Sequence, residues 1–371
     1  MKRILFICHS IGGGAGVVLG TLVNQLAEKY DIDIIERLET NSVAIHYPVN
    51  VRHLKSMSTI RSNKLWRVLL SIIIYFFPKT VYRYYIKEKY DYEISFNYLY
   101  SSYLVGHSPN KHSKKLMWIH SDVYDINPKK AKYGKLKTRF LYSMQKQAFH
   151  KANRIVAISK LTRQSIINLF PNEQRKVALI YNGYDFDIID KKSRETIVPE
   201  NDKFRVISMG RLEPRKNVML QIDAVKLLLD SGIDIELYIL GDGDQAGHLK
   251  NAADGYVDIH FLGWQRNPYP FLLSSDLLLV TSFSEGFPTT IVEALHMGIP
   301  VVSTPVAGTS ELIVEGENGY IIDYTAESAA TGITKVRSST FDRRAVSGSV
   351  DRYTNANWGR NVIGMLESLI Q

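Results

Sequence analysis

The residue types best suited to chemistry in this 371-residue chain lie in SFSEGFPTTIVEALHMGIPVVST, residues 282–304. An apolar run ends at Ser282, Glu285 sits in the turn that follows, and Pro288 is placed to be the first residue of a helix that Gly298 and Pro300 stop. The start of such a helix carries free N–H groups and the positive end of the dipole, so the segment around Gly286, Phe287, Pro288 and Thr289 suits an anion. Glu293 falls about 7.5 Å along the helix axis from Pro288, where a carboxylate can accept both hydroxyls of a ribose while phosphates stay at the tip. Upstream, MGRLEPRKN sets Arg211 and Lys216 in a Pro-containing loop directly after another apolar run. Two cations so spaced can neutralise a diphosphate, where negative charge builds up as a glycosyl phosphate bond breaks.

Weaker signals lie elsewhere. Gly12, Gly13, Gly14 and Gly16 follow the first apolar run and open a helix, so their backbone can approach a phosphate or a sugar closely. They do not form G-x-G-x-x-G, because Val17 and Leu19 take the place of the third glycine. A dinucleotide dehydrogenase with Glu36 as its ribose acid stays open on this evidence. The pairs in DID (31–33), DFD (185–187) and DGD (242–244) invite a metal reading. Their settings, a strand, a linker and a Gly-rich turn, argue against one, and no metal is expected. Cys8 is the one cysteine, which excludes an intramolecular disulfide and suits a reducing compartment.

The elements that must position these residues alternate short β-branched runs with helical patterns, which defines an α/β fold with parallel sheets. Strands are expected near 3–8, 31–35, 92–96, 116–120, 154–159 and 177–181, then again from 204 and near 235–241, 257–263, 277–282 and 300–304. A helix from Gly16 to about Lys29 joins the first two. The reading gives two doubly wound Rossmann-like domains facing across a cleft: residues 1–185 and residues 204–355. A polar linker spans 186–203, and a last helix at 356–371 is free to pack back on the first domain.

The net charge of +9 conceals an imbalance: residues 1–185 hold 29 Lys/Arg against 12 Asp/Glu, and 186–371 hold 17 against 25. Two basic stretches stand out. In 64–90, an apolar run is broken by Pro78, and Lys79, Arg83 and Lys87 follow at i, i+4, i+8 beside Tyr82, Tyr85 and Ile86. In 128–140, Lys129 and Lys130 open a run of six cations. Both fit a helix or loop resting on anionic lipid, and 64–90 also fits a helix buried against the first sheet. No run reaches the roughly 18 apolar residues of a membrane-spanning helix. The basic half shows no zinc-ligand spacing and no recognition helix, so nucleic acid is not an expected partner.

Taken together, Glu285 and Glu293 in SEGFPTTIVEAL, GRLEPRKN (210–217), LGDGD (240–244), FLGW (261–264), IYNGYD (180–185) and TPVAGTSELI (304–313) resemble the family 4 retaining glycosyltransferases of GT-B fold, of the bacterial surface-polysaccharide or glycolipid type. The resemblance implies that Arg211 and Lys216 bind the diphosphate of a UDP- or GDP-sugar and that Glu293 holds its ribose. Glu285 with the backbone of 286–289 would hold the transferred sugar, and Leu262, Gly263 and Trp264 would flank the base unless Trp264 is core. His120 in WIHSD matches the histidine that touches the donor sugar near the reacting carbon; Gly13 and Gly14 would face the sugar phosphate. Asp122 is the one nearby acid. The implied protein is a hexosyltransferase, cytoplasmic and peripheral on the inner face of the membrane, that extends a lipid-linked or polysaccharide acceptor. A catalytically idle nucleotide-sugar-binding protein and a sugar-nucleotide epimerase or dehydrogenase are the rival readings.

Overall fold

A computed structural model describes residues 1–9, 14–38, 48–58, 64–121, 123–130, 132–199 and 202–370. The chain forms two compact units, 1–184 with 353–371 and 185–352.

The first unit holds a seven-stranded parallel sheet: β1 (Lys2–Cys8), β2 (Tyr30–Glu36), β3 (Val51–His53), β4 (Tyr92–Ser95), β5 (Lys114–Ile119), β6 (Arg154–Ala157) and β7 (Val177–Leu179), in the order β3-β2-β1-β4-β5-β6-β7. The second holds β8 (Phe204–Met209), β9 (Ile235–Leu240), β10 (Ile259–Gly263), β11 (Leu277–Val280), β12 (Val301–Ser303) and β13 (Gly319–Ile321), ordered β10-β9-β8-β11-β12-β13 and also parallel. Strands such as ILFIC and LLLV are buried on both faces, which is why they read as unbroken apolar runs. In each sheet the winding reverses once, between β1 and β4 and between β8 and β11. Loops leaving neighbouring strands diverge there and open a crevice at the carboxyl ends.

The segment 186–203, expected as a linker, carries a helix, Phe186–Ser193, capped by Asp185, whose Oδ1 accepts from the Ile188 amide at 3.0 Å. It belongs to the second unit and packs on the helix Tyr269–Leu273. The helix Asn355–Ser368 belongs to the first unit and packs on Gly14–Leu26, where Lys29 pairs with Glu367 and the Tyr92 hydroxyl donates to the Leu366 carbonyl at 2.8 Å. The two passages of the chain between units are stitched where Tyr184 N–H donates to the Tyr353 carbonyl and Asn355 N–H to the Tyr184 carbonyl. Gly183 of IYNGYD is required by this seam: a Cβ there would stand 2.6 Å from Trp358 Cβ.

Candidate functional site

The site in the second unit grows from the switch point between β8 and β11. Beyond the ends of β8, β9 and β10 the backbones stay paired: Gly210 N–H donates to the Leu240 carbonyl, Leu212 N–H to that of Asp242, and Gly241 N–H to that of Gly263. This close approach explains LGDGD. A Cβ on Gly241, at φ +144°, would lie 1.8 Å from the Gly210 oxygen, and one on Gly243 would lie 2.3 Å from the Leu212 oxygen. The loop carrying Arg211 and Lys216 is thus clamped from one side by glycines. From the other side Thr281 Oγ1 donates to the carbonyls of Lys216 and Asn217, and Phe283 N–H to that of Arg215.

Arg211 and Lys216 line one cavity with Ser282 and with Thr290 of the helix Thr289–His296. Arg211 is exposed, whereas Lys216 Nζ lies 2.7 Å from Glu285 Oε1. A cation that the sequence did not single out, Arg215, reaches the other oxygen at 3.2 Å and holds the Ser284 carbonyl at 2.7 Å and Glu213 at 2.7 Å. Burial works to raise the Glu285 pKa, and the charges of Lys216 and Arg215 overcome it, leaving the carboxyl below its ordinary value. Pro288 stands one residue before the helix as its cap rather than inside it, and Gly308 of TPVAG closes on it: a Cβ there would meet the Phe287 ring at 2.8 Å and Pro288 Cδ at 3.0 Å.

On the same helix Glu293 is packed deeply enough that burial raises its carboxyl to about 7, although the residue as a whole keeps some exposure. The Tyr269 hydroxyl donates to its Oε1 at 3.2 Å and lowers it partly. At the end of β10, Gly263 takes φ +68°, Leu262 is half-buried with its carbonyl bound by Gln265, and Trp264 is 66% exposed. Trp264 is therefore not a core residue, and its indole is open to stack on a ring.

In the first unit His120 follows β5, with its ring 4.2 Å from that of Phe96 and parallel to Trp118 at 6.5 Å; Trp118 in turn meets Trp358 edge-on at 6.3 Å. Burial lowers the His120 pKa to about 3, so the imidazole is neutral, and its buried Nε2 has no hydrogen-bond partner among the described residues. Gly14 opens the helix Gly14–Leu26; Gly12, Gly13 and Asp122 lie outside the described residues. Glu36 is buried on β2 and contacts His53, which closes it to a ribose. Asp33 is likewise buried, bound by Arg52, Arg3 and Tyr90. Among the described residues no three His, Cys, Asp or Glu side chains are grouped to hold a metal ion.

Lys79 and Arg83 lie exposed on the helix Pro78–Tyr85. Lys87 lies beyond its end rather than on the expected helical face, and it reaches back to donate to the Arg83 carbonyl at 2.7 Å. Lys129 and Lys130 are exposed, the latter over the Tyr124 ring at 4.8 Å. No helix among the described residues is long and apolar enough to cross a membrane.

Two parallel α/β units with a cation and carboxylate cluster at a switch point are the architecture of the GT-B glycosyltransferases. Family models agree over nearly the whole length: the model described as Glycosyltransferase Family 4 matches residues 12–188, and Glycosyl transferases group 1 matches 189–348. The chain belongs to the family 4 glycosyltransferases. It is 26% identical over 335 residues, 89% of this chain and 88% of the other, to the N-acetylgalactosamine-N,N'-diacetylbacillosaminyl-diphospho-undecaprenol 4-alpha-N-acetylgalactosaminyltransferase of Campylobacter jejuni. With the uncharacterized glycosyltransferase MJ1059 of Methanocaldococcus jannaschii it shares 26% identity over 53% of this chain, spanning about half (49%) of that protein. Among solved structures, Anabaena HepE in complex with UDP and glucose matches 99% of this chain and 100% of its own, with a TM-score of 0.73 at 18% identity.

Proposed function

We infer that this chain is a retaining glycosyltransferase. It moves a hexose or N-acetylhexosamine from a UDP- or GDP-sugar to a lipid-linked or polysaccharide acceptor, as a peripheral protein at the cytoplasmic membrane face in surface polysaccharide or glycolipid assembly. The observation that carries the reading is the cluster at the β8/β11 switch point, where Arg211 and Lys216 line one cavity with the start of the helix Thr289–His296 and Lys216 is held on Glu285.

The chemistry follows from these groups. Arg211 and Lys216 stabilise the diphosphate as its bond to the anomeric carbon breaks, supplying charge that a divalent ion supplies elsewhere. Glu293 accepts the ribose hydroxyls, and Glu285 with the 286–289 backbone orients the transferred sugar. Leu262, Gly263 and Trp264 flank the base. The departing phosphate oxygen takes the proton from the acceptor hydroxyl on the same face, so configuration is retained without a protein nucleophile. His120 touches the transferred sugar, a role that rests on the family resemblance. The acceptor class draws support from the Campylobacter relative, whose name specifies a diphospho-undecaprenol substrate.

A panel of nucleotide-sugars scored by thermal shift tests the reading. A donor at a hundred times its Kd should stabilise the fold by about 2.7 kcal/mol. Release of nucleoside diphosphate with a lipid-linked acceptor, and an α-linked product from an α-linked donor, would support transfer with retention. A product of inverted configuration would remove the same-face mechanism.

A further inference from the structure

The helix Lys64–Phe76 is apolar on two sides. One side, with Leu70 and Ile74, is buried in the core of the first unit. The other presents Val68, Leu69, Ile72 and Phe76, spaced i, i+1, i+4 and i+8, with Phe76 66% exposed and Trp66 beside the stripe. The patch runs on across the helix Lys135–Lys151. Tyr75 contacts Phe140 at 4.5 Å and Phe76 at 5.1 Å, and Leu136, one turn before Phe140, is 84% exposed. Two segments some sixty residues apart thus make one continuous apolar surface.

Its surroundings are cationic. Neither 64–87 nor 128–140 contains an acidic residue, and Lys79, Arg83, Lys87, Lys129, Lys130, Lys132, Lys135, Lys137 and Arg139 are all exposed. Tyr133 and Tyr84 lie at the margin, the first with the ammonium groups of Lys132 and Lys137 over its ring and the second with that of Lys87. A water-facing helix would carry charge pairs on its outer side, and a soluble monomer seldom leaves such a stripe bare. Lys132 pairs with Asp125 at 2.6 Å, and an apolar stripe with aromatic residues and an excess of exposed cations around it has the chemistry of a group seated at the boundary of acyl chains and anionic headgroups.

We propose that the outer face of the helix Lys64–Phe76, joined to Leu136 and Phe140, docks into an anionic lipid bilayer, with Val68, Leu69, Ile72 and Phe76 entering the acyl boundary and the nine cations on the headgroups. This deepens, and rests on, the reading of the chain as a transferase to a membrane-held acceptor. The cations alone would give a reversible, salt-sensitive attraction; the apolar stripe fixes the depth and orientation of the first unit.

The test is sedimentation with vesicles of phosphatidylglycerol and phosphatidylethanolamine, compared with phosphatidylcholine, for wild type and the triple variant Leu69→Ser, Ile72→Ser, Phe76→Ser. Wild type should sediment with the anionic vesicles, and the triple variant should partition at least about tenfold less. Donor-induced thermal stabilisation should be the same in both, which shows that the variant is folded. Trp66 should become accessible to quenching by brominated lipid, and a Trp66→Phe variant should lose that signal. Equal sedimentation of the triple variant would overturn the proposal, and so would a wild-type dimer in solution that the triple substitution dissolves, since a second copy would then cover the stripe. Vesicle binding without any donor binding leaves docking intact and removes the transferase reading; donor binding without vesicle binding does the reverse.

Discussion

Lys216 Nζ lies 2.7 Å from Glu285 Oε1, and Arg215 holds the opposite oxygen at 3.2 Å. The cation assigned to the leaving diphosphate and the carboxylate assigned to the transferred sugar are thus each other's partners before either substrate arrives. The pair holds Lys216, which lines the cavity, in a fixed place, so donor binding redirects an ordered ammonium instead of recruiting a mobile one. Glu285→Gln keeps the shape and removes the charge. Transfer should fall by about 10²- to 10³-fold, the range found when one preorganised charge-stabilising contact is lost. Because the folded pKa of Glu285 is depressed, its contribution to stability is present above the usual carboxylate range and lost as pH falls through the lowered value. Thermal melts below about pH 4 should show a loss in wild type that is smaller in the variant.

Glu293 titrates in the opposite sense. Its folded carboxyl, at about 7, favours the protonated form, while ribose hydroxyls bind the ionised one. The affinity for a nucleotide-sugar, which has no phosphate titrating near neutrality, should therefore rise with pH toward 7 and level off above it. Free-protein stability should run the other way: the contribution of Glu293 is complete below the unfolded value and lost as pH rises through about 7. Glu293→Gln should flatten both curves. Tyr269→Phe removes the hydroxyl that lowers the carboxyl and should move the binding curve to higher pH. Calorimetric titrations across this range separate the two.

His120 is held by Phe96 and Trp118, and Trp118 by Trp358 of the last helix. With its pKa lowered to about 3, His120 should contribute no inflection to the kcat profile between pH 5 and 9, an interval that begins about two units above that value. Its contact is then that of a neutral ring. His120→Ala should lower kcat, and any bell-shaped limb that survives belongs to another group.

Gly183→Ala forces a methyl against Trp358 at 2.6 Å and should cost about 1–3 kcal/mol, read as a fall in Tm. Gly241→Ala meets a backbone oxygen at 1.8 Å with φ +144°, a harsher clash because a carbonyl cannot rotate aside. It should destabilise the second unit and abolish donor-induced stabilisation together, whereas Gly183→Ala should leave the latter in place.

The two-unit α/β architecture was legible because doubly buried strands such as ILFIC and LLLV cannot be mistaken for amphipathic ones. The three-residue strands Val51–His53 and Gly319–Ile321 were not, since periodicity has no meaning over so short a run and pairing at a sheet edge alone defines them. The helix Phe186–Ser193 hid in a polar stretch; its Asp185 cap was the signal available. At the site, the Arg211 and Lys216 loop was readable from charge and spacing. Which neighbouring cation turns to Glu285 was not, because it depends on the Phe283 amide pairing with the Arg215 carbonyl, a contact between loops 68 residues apart. The glycines of LGDGD carried a signal that becomes interpretable only once the backbone of Gly210 is seen against them.

Titration calorimetry of the preferred nucleoside diphosphate against wild type, Arg211→Ala and Lys216→Ala tests the central claim most directly. Each substitution should weaken binding by about 10- to 150-fold, the effect of removing one charge-assisted hydrogen-bond partner, and should flatten the salt dependence of affinity. Unchanged affinity in both variants, with the proteins folded, would contradict the placement of the diphosphate between these two cations and the start of the helix Thr289–His296.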